Sequence, residues 1–88
     1  MRTIFKSSFL KSIEKLKDSK LKSDIINAIE NVEEGKDLRS ITNLKKLKGH
    51  KDFYRIKIGS LRIGLKITDD LVYFVDVDWR KDIYKHFP

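Results

Sequence analysis

From Tyr54 to Lys66 the chain alternates apolar and basic residues, Y-R-I-K-I-G-S-L-R-I-G-L-K, with Gly59-Ser60 at the centre. Alternation of period two predicts a pair of strands, and a Gly-Ser step between them predicts a two-residue hairpin turn. Such a hairpin puts Tyr54, Ile56, Ile58, Leu61, Ile63, Leu65 and Ile67 on one face, and Arg55, Lys57, Arg62 and Lys66 on the other. The turn pairs Ile58 with Leu61, and therefore Lys57 with Arg62. Like charges directly opposite one another destabilise a sheet. Their placement here points to an anion, and a phosphate is the first candidate.

Before the hairpin the period becomes helical. Phe9, Leu10, Ile13 and Leu16 form one apolar stripe; Leu21, Ile25, Ala28, Ile29 and Val32 form a second, with Ile26 beside it. Ser7 or Ser8 is expected to cap a helix starting near Phe9, Asp18 or Ser19 to cap the next, and Gly35 to end it. Both stripes read as core rather than as a cofactor site. Arg2 to Lys6 predicts a short first strand and residues 36–43 a connector. Leu71 to Val77, almost continuously apolar, predicts a strand covered on both faces or central in its sheet.

Asp69-Asp70 marks the turn before that last strand. A three-residue turn is expected, pairing Ile63 with Val77 and Leu65 with Val75, and setting Asp78 opposite Arg62 and Asp76 opposite Gly64. A two-residue turn would place Ile63 against Asp76, which burial forbids. Asp78 then offers Arg62 an ordinary cross-strand ion pair, which partly answers the repulsion around Lys57. Trp79 to Pro88 predicts one or two terminal helical turns. The order β-α-α-β-β-β implies one α+β domain over residues 1–88. In it an N-terminal strand and helical hairpin pack on a small antiparallel sheet, with a basic face opposite the helices.

Charge sharpens this picture. The net charge of +7 is concentrated in residues 39–66, which hold nine Lys/Arg against one acid, Asp52. Residues 1–38 hold eight against seven, and residues 67–88 three against five. A localised basic surface suggests nucleic acid or another polyanion, the plainer alternative being a solubilising lysine-rich surface. There is no cysteine, hence no disulfide frame and no thiolate zinc site. No apolar run is long enough for a signal peptide or membrane span, so a soluble cytoplasmic protein without membrane contact is expected. No Walker loop, H-E-x-x-H motif, paired carboxylates or Ser-His-Asp signature occurs, and His50 and His86 are too few for a metal site. Neither a metal nor a small-molecule cofactor is expected. What remains is a set of Lys, Arg, Tyr and His side chains that can converge on a phosphodiester.

The run K-L-K-G-H-K-D-F-Y-R-I-K-I-G-S-L-R-I-G-L-K-I, the D-D turn, the strand L-V-Y-F-V-D-V and the closing R-K-D-I-Y-K-H-F-P resemble the RelE/ParE toxin superfamily. The resemblance covers Leu44 to Pro88, and the N-terminal β-α-α pattern fits the same RelE-like fold. Leu61 stands where relatives often carry Tyr, Gly64-Leu65 where an aromatic often follows the post-turn arginine, and Trp79 where His often precedes the last arginine. Members are toxins of bacterial toxin–antitoxin pairs. The resemblance implies a cognate antitoxin as partner and one of two activities, the remaining alternative being a non-toxic relative that only binds an antitoxin-like partner or RNA. RelE-like members are mRNA interferases, endoribonucleases that cut messenger RNA on the ribosome, whereas ParE-like members poison DNA gyrase.

The first activity has a clear chemical requirement. Cleavage without metal uses the neighbouring 2′-hydroxyl as nucleophile. It calls for a base, cations to hold the charge of the phosphorane, and an acid for the leaving 5′-oxygen. Arg62 and Arg80 are the candidates for the phosphorane, with Arg55 assisting, because guanidinium groups bind phosphate oxygens in a fork. Lys57, beside Arg62, is a candidate base or second phosphate contact. Tyr84, four residues after Arg80, shares a helical face with it and can stack on a base. His86 is the acid–base candidate near neutral pH. Lys45, Lys46, Lys48, Lys51 and Lys66 are expected to contact RNA phosphates without specificity.

Overall fold

The computed structural model describes residues 1–88. Strand β1 (Arg2–Phe5) leads into helices α1 (Ser7–Lys15) and α2 (Ser19–Glu34), followed by a 3-10 turn at Leu38–Ser40. Strands β2 (Leu44–Lys46), β3 (Phe53–Ile58), β4 (Leu61–Thr68) and β5 (Leu71–Trp79) follow, and α3 (Arg80–Ile83) closes the chain. The five strands form one sheet in the order β1-β5-β4-β3-β2. The α+β class and the helical hairpin over one sheet face are as the pattern implies. The sheet, however, is mixed: β1 pairs parallel with β5, while the other ladders are antiparallel. The helical hairpin carries the chain from one sheet edge to the other, so the first strand ends up beside the last. The short edge strand β2, which pairs Leu44 with Ile56, lies in the segment that led into the hairpin.

The apolar stripes do what their period demands. Phe9 from α1 and Ile25 and Val32 from α2 are buried against Ile56, Leu61, Ile63, Leu65, Ile67, Val72, Phe74 and Val77. Phe74 is central, with ring centroids 5.1 Å from Phe5 and 5.3 Å from Phe9. Asp18 caps α2, its carboxylate accepting from the backbone N–H of Lys20 at 2.9 Å and of Leu21 at 3.1 Å. Replacing Asp18 by alanine is expected to cost about 1 kcal/mol, seen as a lower urea midpoint at unchanged slope. Serine capping of α1 does not occur. The helix starts at Ser7 after Lys6, which makes no side-chain cap. The Ser8 hydroxyl instead donates to the carbonyl of Val75, and that of Ser12 to Asp76 Oδ1 at 2.6 Å. These serines tie α1 to β5. Gly35 does end α2, but at a φ of −69°. A Cβ there would lie 2.6 Å from Ser40 Oγ, so the hydroxyl, which donates to the Asp37 carbonyl, would have to move.

The β4–β5 register resolves a conflict. Thr68 pairs with Leu71, so the Asp69-Asp70 turn is of two residues, and Leu65 pairs with Phe74 rather than Val75. Beyond it, Gly64 pairs with Asp76, Ile63 with Val77 and Arg62 with Asp78. A bulge at Val75 supplies the extra residue, which keeps apolar opposite apolar at the far end. The strand covered on both faces is β4, whereas β5 meets the other half of its expectation as an interior strand between β1 and β4. Every residue from Leu61 to Leu65 is buried, whereas β5 alternates between buried and half-buried positions. Ile83 and Phe87 are responsible, because the C-terminal segment folds back over the sheet face away from the helices, and both are buried there. No helix is long and apolar enough to cross a membrane.

Candidate nucleic-acid interface

The β3–β4 hairpin has the register its turn dictates, with Lys57 opposite Arg62, Arg55 opposite Gly64 and Phe53 opposite Lys66. Strand β2 adds Lys45 opposite Arg55 on one side. On the other, β5 turns into α3 at Arg80, whose backbone N–H donates to the Ser60 carbonyl at 2.7 Å. The C-terminal segment is then pinned by Phe87. Its ring lies over Gly64, where a Cβ would come within 2.8 Å, and meets Phe53 edge-on at 5.6 Å. This arrangement swings Tyr84 back towards the β2 edge.

The result is a groove of about 400 Å³ lined by Lys45, Lys46, Leu47, Lys48, Arg55, Arg62, Arg80 and Tyr84. Six cations meet here without a single carboxylate. Arg62 is the most constrained of them. It is only 6% exposed, and its Nη1 donates to the carbonyls of Gly59 at 2.7 Å and Leu61 at 2.9 Å. These bonds satisfy donors but bring no counter-charge. The expected ion pair with Asp78 is not made, although the two residues are register partners. Asp78 is taken by His86 Nε2 at 2.9 Å, and Asp76 by His86 Nδ1 at 3.1 Å. None of Arg55, Arg62 or Arg80 has a carboxylate in ion-pair range. A desolvated guanidinium without a counter-ion is costly. An anion in the groove would remove that cost.

A family model described as ParE toxin of type II toxin–antitoxin system, parDE, matches residues 3–84. The chain is also 32% identical, over the whole length of both chains, to Toxin RelE3 of Methanocaldococcus jannaschii. It belongs to the RelE/ParE toxin superfamily. Solved structures agree on the fold of this RelE/ParE toxin. The toxin in a RelB-RelE antitoxin–toxin complex from Methanococcus jannaschii superposes with a TM-score of 0.81 at 30% identity, over 97% of this chain and 99% of the other. A chain of the intact E. coli RelBE toxin–antitoxin complex superposes with a TM-score of 0.70 at 26% identity, over 89% of this chain and 94% of the other.

Within this RelE/ParE toxin the remaining candidate residues separate. Lys57 shares the basic sheet face with Arg62, but borders a different hollow against α2, with Asp24, Asn27 and Asn31. Lys66 sits with its Nζ 5.9 Å from the Phe53 ring centroid, outside the groove. Lys51 is exposed in the loop before β3. His86 also lies outside the groove. Its Nε2 is hydrogen-bonded to Asp78 and its Nδ1 faces Asp76, so the ring fastens the C-terminal segment to β5. Not expected as site residues were Leu47 in the groove, and Ser60, Trp79 and Lys81 around a second hollow that shares Arg80. The one available signal was Trp79 preceding Arg80.

Proposed function

We propose that this toxin is a ribosome-dependent endoribonuclease that cuts messenger RNA through attack of the 2′-hydroxyl, and that a cognate antitoxin holds it in check. The observation that carries the reading is Arg62, a nearly buried guanidinium without a counter-ion in a groove free of carboxylates. Arg62 and Arg80 are assigned to the phosphorane oxygens, with Arg55 beside them and Tyr84 against a base. Lys45, Lys46 and Lys48 track neighbouring phosphates. Lys57 borders the neighbouring hollow rather than the groove. As the cross-strand neighbour of Arg62, it is assigned to reach the same phosphate from outside, as base or second contact. His86, held by Asp76 and Asp78, is assigned to keeping the C-terminal segment in position. The route takes its nucleophile from the RNA and needs no cofactor. Solved relatives are complexes of a RelE with a RelB antitoxin, which supports an antitoxin partner here.

The decisive experiment is translation by purified ribosomes with the 5′ ends of the message mapped. New 5′-hydroxyl ends that appear only when ribosomes are present are expected. The match to a family model named for ParE favours a second reading, a gyrase inhibitor without nuclease activity. Intact message together with gyrase-dependent DNA breaks would replace the first reading by the second.

A further inference from the structure

Beside the basic groove lies a larger hollow of about 700 Å³, lined by Ser60, Trp79, Arg80 and Lys81. Arg80 lines both, so the two adjoin at its side chain and form a track along this face. Trp79 is the last residue of β5 and pairs with Leu61 at the start of β4. It is 39% exposed. No other aromatic ring and no cation packs on its indole. The indole N–H donates to no acceptor within the protein, and the only Trp79 donor in use is its backbone N–H, to Asp78 Oδ1. Part of a large aromatic surface is thus left in water beside two cationic side chains, next to the basic groove. On this side its neighbours Ser60, Arg80 and Lys81 are polar and cationic, which suits a nucleotide; on the other side the ring borders Leu16, Leu61 and Val77. A single-stranded nucleotide needs a π-face for its base and cations for its phosphate, and this track offers both.

We infer that Trp79 is a stacking platform for a base of single-stranded RNA, the nucleotide next to the one whose phosphate lies against Arg62 and Arg80. The inference rests on the RNA-cleaving reading above and adds to it a nucleotide subsite outside the groove.

Trp79 is the only tryptophan, so intrinsic emission reports on this one position. The probe is a 2′-O-methyl hexaribonucleotide, which cannot be cut because its 2′-oxygens are blocked. Binding is followed in parallel by the anisotropy of an end-labelled copy. Quenching of Trp79 along the same isotherm as the anisotropy is the expected result. A copy with an abasic residue at the stacked position is expected to bind without quenching. Trp79→Ala is expected to weaken binding about tenfold, the size of one lost base–aromatic stack, with the salt dependence unchanged. Trp79→Phe restores most of the loss. Binding seen by anisotropy with unaltered emission, or a folded Trp79→Ala variant that binds like the parent, would overturn the stacking site. The hollow would then be left to a protein partner, with the phosphate groove intact. Absence of any binding at low salt would overturn this inference, whereas the cleavage reading stands or falls on the ribosome experiment above.

Discussion

Replacing Arg62 by alanine is expected to lower message cleavage by about 10²–10³-fold, the usual effect of removing one preorganised group that stabilises the transition state. The guanidinium owes this weight to its surroundings. Two backbone carbonyls, of Gly59 and Leu61, fix Nη1, and only 6% of the residue reaches solvent. The group therefore meets the developing phosphorane charge in a poorly hydrated site without having to reorganise. Arg62→Lys is expected to rescue little, because an ammonium cannot hold those carbonyls and also present a planar fork to phosphate. The fold should survive, since removing a buried charge that has no counter-ion also removes its desolvation cost. A urea melt of the variant checks this directly. Adding Arg80→Ala is expected to bring cleavage to background. The two losses are not additive, because both side chains act on one phosphate. Cleavage retained by the folded double variant would place the phosphate elsewhere on the molecule.

Much of this candidate site is legible in the sequence, for local reasons. The alternation around Gly59-Ser60 determines the β3–β4 register, and with it the juxtaposition of Lys57 and Arg62. The i, i+4 spacing places Arg80 and Tyr84 on one side of the terminal turn, and both reach the groove. The errors arose where contacts are distant in sequence. Val75 is one apolar residue in a run of them, so nothing local marks it as the bulged position that reconciles a two-residue turn with the pairing of Ile63 and Val77. Asp78 was placed opposite Arg62 correctly, yet its carboxylate goes to His86, from a segment whose return across the sheet has no local signal. The same return explains why a strand that reads as half-exposed, β4, is covered on both faces.

That return is also the most vulnerable part of the site. Gly64→Ala is expected to destabilise the protein by about 1–3 kcal/mol, the usual cost of overpacking, and to lower cleavage although Gly64 lines no part of the groove. The new Cβ would lie 2.8 Å from three carbons of the Phe87 ring. That ring is 2% exposed and is held from the other side by Phe53. To make room the ring must move, and the segment with it. Phe87 and His86 both hydrogen-bond back to the Ile83 carbonyl. Lifting the ring therefore disturbs the whole turn, Tyr84 and the His86 contacts to Asp76 and Asp78 included. Phe87→Ala, which empties the same space, is expected to cost about 3–5 kcal/mol and to produce the same loss of cleavage from the opposite direction. Hydrogen exchange separates this from general unfolding: amides from Ile83 to Phe87 should exchange faster, while those of β3 and β4 remain protected. If Gly64→Ala melts and cleaves as the parent does, the groove keeps its shape without close packing of Phe87. The bond from the Arg80 amide to Ser60 would then be enough to hold its far wall.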